Sequence, residues 1–331
     1  MVSRFARPFL TRASSMGIIY GVLYGIIARL MTSFHWEWLL SAFVVMSFGF
    51  LFVVPITVGI LTVRDVEAPS MAYRALAPWI PMMLTIGFAL LIGWEGVICS
   101  VLAIPLVLPL SSVGGLLTKS HTVGTRGVPI ALFLPYLISP IEQRLPTPRR
   151  LVETVTEIQI DAPPSVVWPL VASVDSIRPD ERRWALFVAM GFPRPVSATL
   201  SHPGVGGIRT AQFEHGLVFT ETVTDWEPEH RLSFTIKPNT ASIPPTTLDP
   251  HVTIGGPFFD VLTGTYELYP SNDGRGTRLV LRSVHRVSTR FNTYAGWWAE
   301  HIMGSIQRNI LVVHKGRAER IAHHGSAQPA A

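Results

Sequence analysis

The sequence has one cysteine, Cys99, in 331 residues. That excludes a disulfide within the chain and a cysteine-based metal cluster. Charge is also scarce. Asp, Glu, Lys and Arg make up 15% of residues, against about 25% in an ordinary soluble domain. That argues against a wholly soluble chain, and the 48% hydrophobic content argues against a disordered one. No His-Glu-x-x-His metal motif and no Gly-x-Ser-x-Gly nucleophile turn occurs. Gly204-Val-Gly-Gly207 does not open a helix after a strand, so it is a weak dinucleotide signal. We therefore expect no metal, no nucleotide and no other cofactor. The pI near 9.6 does not point to nucleic acid either, because the second half of the chain has no basic block or stripe.

The scarcity of charge is local. Residues 1–141 hold 8 Lys and Arg and 4 Asp and Glu, leaving 19 and 18 of the totals of 27 and 22 for residues 142–331. Long uncharged apolar runs fill the first part. Met16–Leu30 follows a basic start at Arg4, Arg7 and Arg12. Trp38–Val63 runs 26 residues, Ala75–Trp94 runs 20 and Gly96–Thr118 runs 23. The last three exceed the roughly 18 apolar residues expected of a transmembrane helix. The first lacks a cleavage site and is followed by further spans, so it reads as an uncleaved helix whose Arg29 snorkels to the interface.

Gly17, Gly21 and Gly25 lie on one helical face, where a neighbouring helix can approach closely. Trp36, Trp38, Trp79 and Trp94 stand at span ends, as interface aromatics do. Glu95 sits in a very short turn at headgroup level. A fifth segment, Gly127–Ile141, contains three prolines in 15 residues. It would cover about 22 Å of a hydrocarbon core about 30 Å thick.

Residues 1–141 thus read as an all-α transmembrane anchor of four or five helices. The spans carry no row of ionisable residues of the kind that lines an ion path. The expected location is a cytoplasmic membrane of bacterial type, and the expected partner is the bilayer. If the fifth segment crosses, Lys and Arg divide 7 inside to 4 outside; if it does not, they divide 10 to 1. Charge counting leans to the second arrangement, with the C-terminal part in the cytoplasm. The apolar run favours the first, and both stay open.

Residues 142–150 form a polar, proline-containing linker, and period-two patterning starts after it. Val152–Ile160 reads as a strand rich in β-branched residues. A helix is expected over Ser165–Val174 and a second over Asp180–Met190. Six strands follow: Ser197–Ser201, Ile208–Glu214, Leu217–Trp226, Arg231–Lys237, Phe258–Tyr269 and Thr277–Ser288. A helix from Thr293 to about Ile321 ends the domain, with Trp297, Ile302, Ile306, Ile310 and Val313 at helical spacing. Consecutive strands joined by short turns mean an antiparallel sheet, which the last helix must cover. Residues 151–322 are thus expected to be one α+β domain, and 323–331 a disordered tail.

Three stretches carry a resemblance. They are Ile160-Asp-Ala-Pro-Pro-Ser-Val-Val-Trp168, Glu221-Thr-Val-Thr-Asp-Trp-Glu-Pro228 and Gly276-Thr-Arg-Leu-Val-Leu-Arg282. In this order they resemble the SRPBCC (START-like, helix-grip) superfamily, its polyketide cyclase/dehydrase-like branch in particular, over residues 151–320. The resemblance implies a seven-stranded antiparallel sheet gripping a long C-terminal helix, with a deep apolar cavity between them. Members mostly bind lipids, sterols, polyketides or other hydrophobic small molecules, and some catalyse cyclisation, dehydration or hydrolysis. The multi-span first half departs from the free-standing members.

Alternation along the strands assigns side chains to faces. Phe219, Glu221 and Val223 share one face, as do Leu279, Leu281, Ser283, His285 and Val287. Arg209, Ala211 and Phe213 form a third inward set, and Asp260, Leu262, Gly264, Tyr266 and Leu268 a fourth. The candidate catalytic residues are Glu221 and His285, an acid–base pair in an apolar setting that raises the carboxylate pKa toward neutrality. Candidate ligand-binding residues are Arg209, Phe213, Phe219, Asp260 and Tyr266, with His251 at the mouth on a long loop, residues 239–257. Three readings compete: a membrane-anchored module holding a hydrophobic small molecule or lipid, a cyclase, dehydratase or hydrolase, and an interaction protein.

Overall fold

A computed structural model describes residues 11–32, 47–118, 133–134, 137–138, 141–142, 144–181, 183–239, 254–271 and 274–326. The chain divides into two units, Met1–Thr147 and Pro148–Ala331.

The first unit is helical. α1 spans Arg12–Met31, capped by the Thr11 side chain. A π-helical turn, Gly49–Val53, leads into α2, Val54–Val63. α3 (Met71–Leu76) and α4 (Trp79–Leu91) follow in one line, and α5 is Val97–Leu117. Three helical stretches, Arg12–Met31, Met71–Leu91 and Val97–Leu117, are long and apolar enough to cross a membrane. In the second apolar run the helical stretch is shorter, Gly49–Val63; residues 38–46 of the run lie outside the described residues. So does most of the fifth segment, 127–141.

Close approach between helices explains the glycines. A β-carbon on Gly17 would run into the Thr62 backbone of α2, and one on Gly25 would lie 2.7 Å from the Thr85 hydroxyl of α4. On α5, Gly114 meets the Ile56 backbone. Tyr24, Ala28, Val58, Met82 and Val107 fill the centre of this unit. The outer faces are apolar as well: Ile19, Leu23 and Ile27 of α1 are each about half exposed. Arg29 departs from the snorkelling expectation. It is buried, donates to Glu95 at 2.5 Å and lies over the Trp94 ring. A buried guanidinium needs a partner, and the tight turn after α4 supplies one.

The second unit is a seven-stranded antiparallel sheet in the order β1-β7-β6-β5-β4-β3-β2. Its strands are β1 Arg150–Ile160, β2 Pro195–Leu200, β3 Ile208–Phe213, β4 Val218–Glu227, β5 Arg231–Asn239, β6 Phe259–Ser271 and β7 Gly276–Val287. Between β1 and β2 lie α6 (Pro164–Ala172) and the short α7 (Leu186–Ala189). α8, Asn292–Ser326, packs on the sheet. This is the helix-grip fold.

Its core joins Ile160, Val167, Trp168, Val223, Leu232, Leu268 and Leu279 to Leu311 and Ala318 of α8. Trp168 packs edge-on against Trp226, ring centroids 5.0 Å apart. At the far end of α8, Glu181 holds Arg317 and Arg320, each at 2.7 Å. At its start, the Asn292 side chain accepts from the Thr289 backbone at 2.6 Å and donates to the Pro148 carbonyl at 2.8 Å.

Three expectations need correction. The linker is shorter than 142–150, because Arg144 is helical and β1 already starts at Arg150. α8 runs to Ser326, into the segment expected to be tail. His323 and His324 in its last turn suit the negative end of the helix dipole. The stripe expected on α8 holds only in part. Ile302 and Val313 are buried as expected and are joined by Gln307, Leu311, His314 and Ala318, whereas Trp297 is half exposed.

Candidate functional site

Strand alternation turns Arg209 of β3 and Glu221 of β4 toward α8, and register places them directly opposite each other. Their side chains meet in a buried ion pair. The Arg209 guanidinium also lies 5.5 Å from the Phe234 ring centroid and 5.9 Å from that of Tyr266. Phe234 reaches this place because its neighbour across the β5–β6 pair is Gly264. A β-carbon there would lie 2.5 Å from the Phe234 ring. Tyr266 in turn stands edge-on to His314 of α8, 5.8 Å between centroids. The result is one connected group from β3, β4, β5, β6 and α8.

Burial governs its electrostatics. It pushes the Glu221 carboxyl upward, against the pull of Arg209. It works against the charged Arg209 as well, but Glu221 and Tyr266 hold that guanidinium above its ordinary value. The Tyr266 phenol is raised by the same burial. His314 is brought down to about 3 by burial, with Arg209 and Arg317 adding repulsion. It is neutral at pH 7, and neither ring nitrogen has a hydrogen-bond partner among the described residues. Arg209 Nε is likewise buried without one.

A second polar group lies lower on the sheet. Gln307 of α8 accepts from Thr156 at 2.7 Å and donates to Ser283 at 2.7 Å and to the Thr154 carbonyl at 3.2 Å. The Gln307 amide is engaged at both its oxygen and its nitrogen, while the Thr154 hydroxyl beside it is buried without a partner among the described residues. Beyond it is His285, buried, 5.8 Å from the Phe259 ring centroid, with both nitrogens unpartnered. Burial brings His285 down to about 4.

The expected site residues therefore separate. Glu221, Arg209 and Tyr266 come together; Glu221 and His285 do not. β5 and β6 lie between their strands, about 14 Å of sheet at the usual strand spacing. Glu221 is committed to Arg209, so the expected Glu–His acid–base pair is not assembled. Phe213 and Phe219 pack edge-on, centroids 5.3 Å apart, in an apolar cluster with Ala198, Leu217 and Val313.

Asp260 is on the opposite face from the one expected. A bulge between Val261 and Thr263 shifts the alternation. Val261 thus pairs with inward His285, while Asp260 pairs with outward Arg286. His251 and residues 240–253 lie outside the described residues.

Sequence reasoning missed His314 and Gln307. Their signal was spacing: 307, 311, 314 and 318 follow a helical stripe, with two polar residues inside an apolar pattern. Among the described residues, no group of three or more His, Cys, Asp or Glu is placed to hold a metal.

Residues 152–311 match the family described as polyketide cyclase / dehydrase and lipid transport. No curated protein matches the chain. Among solved structures it is similar to an Arthrobacter aurescens protein determined by solution NMR, at 17% identity and TM-score 0.33, covering 51% of this chain and 87% of that one. It is also similar to the Zhui aromatase/cyclase from a Streptomyces species, at 14% identity and TM-score 0.31, covering 54% and 96%. A Mesorhizobium loti protein gives 19% identity and TM-score 0.29, covering 51% and 97%.

Proposed function

With residues 152–311 a domain of the polyketide cyclase/dehydrase type, we propose that this chain holds an apolar small molecule or lipid between its sheet and α8. Its N-terminal helices hold it in a bilayer. The observation that carries this reading is the set of buried polar atoms left without partners between sheet and helix. They include both nitrogens of His314, both of His285, Arg209 Nε and the Thr154 hydroxyl.

An unmade buried hydrogen bond costs about 1–3 kcal/mol. A bound molecule offering oxygen atoms recovers that cost, and the apolar residues around the set favour the rest of such a molecule. The three long apolar helices support the membrane part of the reading.

A binding role is favoured over cyclase-type catalysis because Glu221 is tied to Arg209 and lies far along the sheet from His285. Native mass spectrometry of the full chain, purified in a mild detergent, tests the proposal. An apolar molecule is expected to stay bound after the micelle is stripped. Recovery of the bare chain alone, from preparations both with and without added membrane extract, would sink it.

A further inference from the structure

We propose that the molecule held is electrically neutral and carries a hydroxyl or carbonyl oxygen, and that the Arg209–Glu221 pair excludes carboxylates, phosphates and amines. This rests on the ligand-holding reading above. The argument is one of charge balance. Arg209 and Glu221 are the buried charged residues of the domain among those described, and they neutralise each other by direct contact. Arg317, the next cation near His314, is held by Glu181 at 2.7 Å. A bound anion would find no uncompensated positive charge, and a bound amine no free carboxylate. Either would stand as an unpaired buried charge, which is strongly unfavourable.

What the group does offer is neutral hydrogen bonding. Arg209 Nε is a free donor. The His314 imidazole has one N–H to donate and one nitrogen to accept. A hydroxyl can use both kinds of partner and a carbonyl the donors. The rings of Phe234 and Tyr266 against the guanidinium leave apolar surface for the body of the molecule.

The test uses the full chain in nonionic micelles with three probes of one carbon skeleton: farnesol, farnesoic acid and farnesylamine. Native mass spectrometry reads the fraction bound at equal concentrations. The wild-type chain is expected to take farnesol about tenfold or more over either charged probe. Glu221→Gln leaves Arg209 uncompensated, and its acid-to-alcohol ratio should rise about tenfold. Arg209→Met leaves Glu221 uncompensated, and its amine-to-alcohol ratio should rise instead.

Wild-type binding of the acid or amine as strong as that of the alcohol overturns the proposal and leaves the ligand-holding reading standing. Unchanged ratios in both variants overturn it too. Binding of none of the three probes overturns both. If neither variant folds, the wild-type order alone decides.

Discussion

At the scale of single residues, the Arg209–Glu221 contact sets the energetics of the domain's interior. Each charge is tolerated because the other is there. Removing one partner, by Arg209→Met or Glu221→Leu, is expected to cost about 3–5 kcal/mol. The double variant should recover most of that loss, because it buries no unpaired charge. Urea unfolding of the three variants checks this, and a double variant as unstable as the singles would show that the pair is not a unit.

The histidines make a second prediction. Burial holds His285 at about 4 and His314 at about 3 in the folded chain, against 6.5 as the ordinary value. Between those values the unfolded chain takes up protons that the folded one refuses. The stability these groups contribute is therefore full above pH 6.5 and falls as the pH drops toward 4 and then 3. His285→Leu removes one proton-binding group and two unpartnered nitrogens. It should flatten the acid side of the stability–pH curve. A curve parallel to the wild type would refute this.

At the scale of elements, Gly264 is where β6 gives way to a side chain from β5. Gly264→Val would drive its branched side chain into the Phe234 ring. The expected loss is about 1–3 kcal/mol, with the ring displaced from beneath Arg209, visible as a changed Phe234 environment in aromatic NMR. Elements were also the scale at which the sequence was most readable. All seven strands and the long helix follow from period-two and helical patterning. So do the inward faces of β3, β4 and β7, because one buried face forces strict alternation.

Three things escaped it. The bulge at Val261–Thr263 adds a residue that no periodicity announces, and it turned Asp260 outward. Alternation turns both Glu221 and His285 inward, but only strand order shows that the neighbour of Glu221 is Arg209. His314 and Gln307 are hard to read from sequence because polar residues in an apolar stripe look like breaks in the pattern, whereas here they are its most informative members.

At the scale of the whole molecule, the placement of Arg144, Arg149 and Arg150 decides the charge count, and the count leans to a C-terminal domain on the cytoplasmic side. Val205, well exposed in the β2–β3 hairpin, is a suitable reporter. Val205→Cys in a Cys99→Ala background should react with a membrane-impermeant maleimide in inverted vesicles and not in intact cells. The opposite pattern would mean that residues 127–141 cross the membrane.

The Asn292 contact has a mechanical consequence. One side chain grips the Pro148 carbonyl, where the chain enters the domain, and also caps the turn from which α8 starts. Any pull arriving through the preceding segment is therefore delivered to the joint between sheet and helix. It loads the first turn of α8 and the adjoining end of β1 together, so tension at the tether cannot peel one from the other without first breaking that clasp.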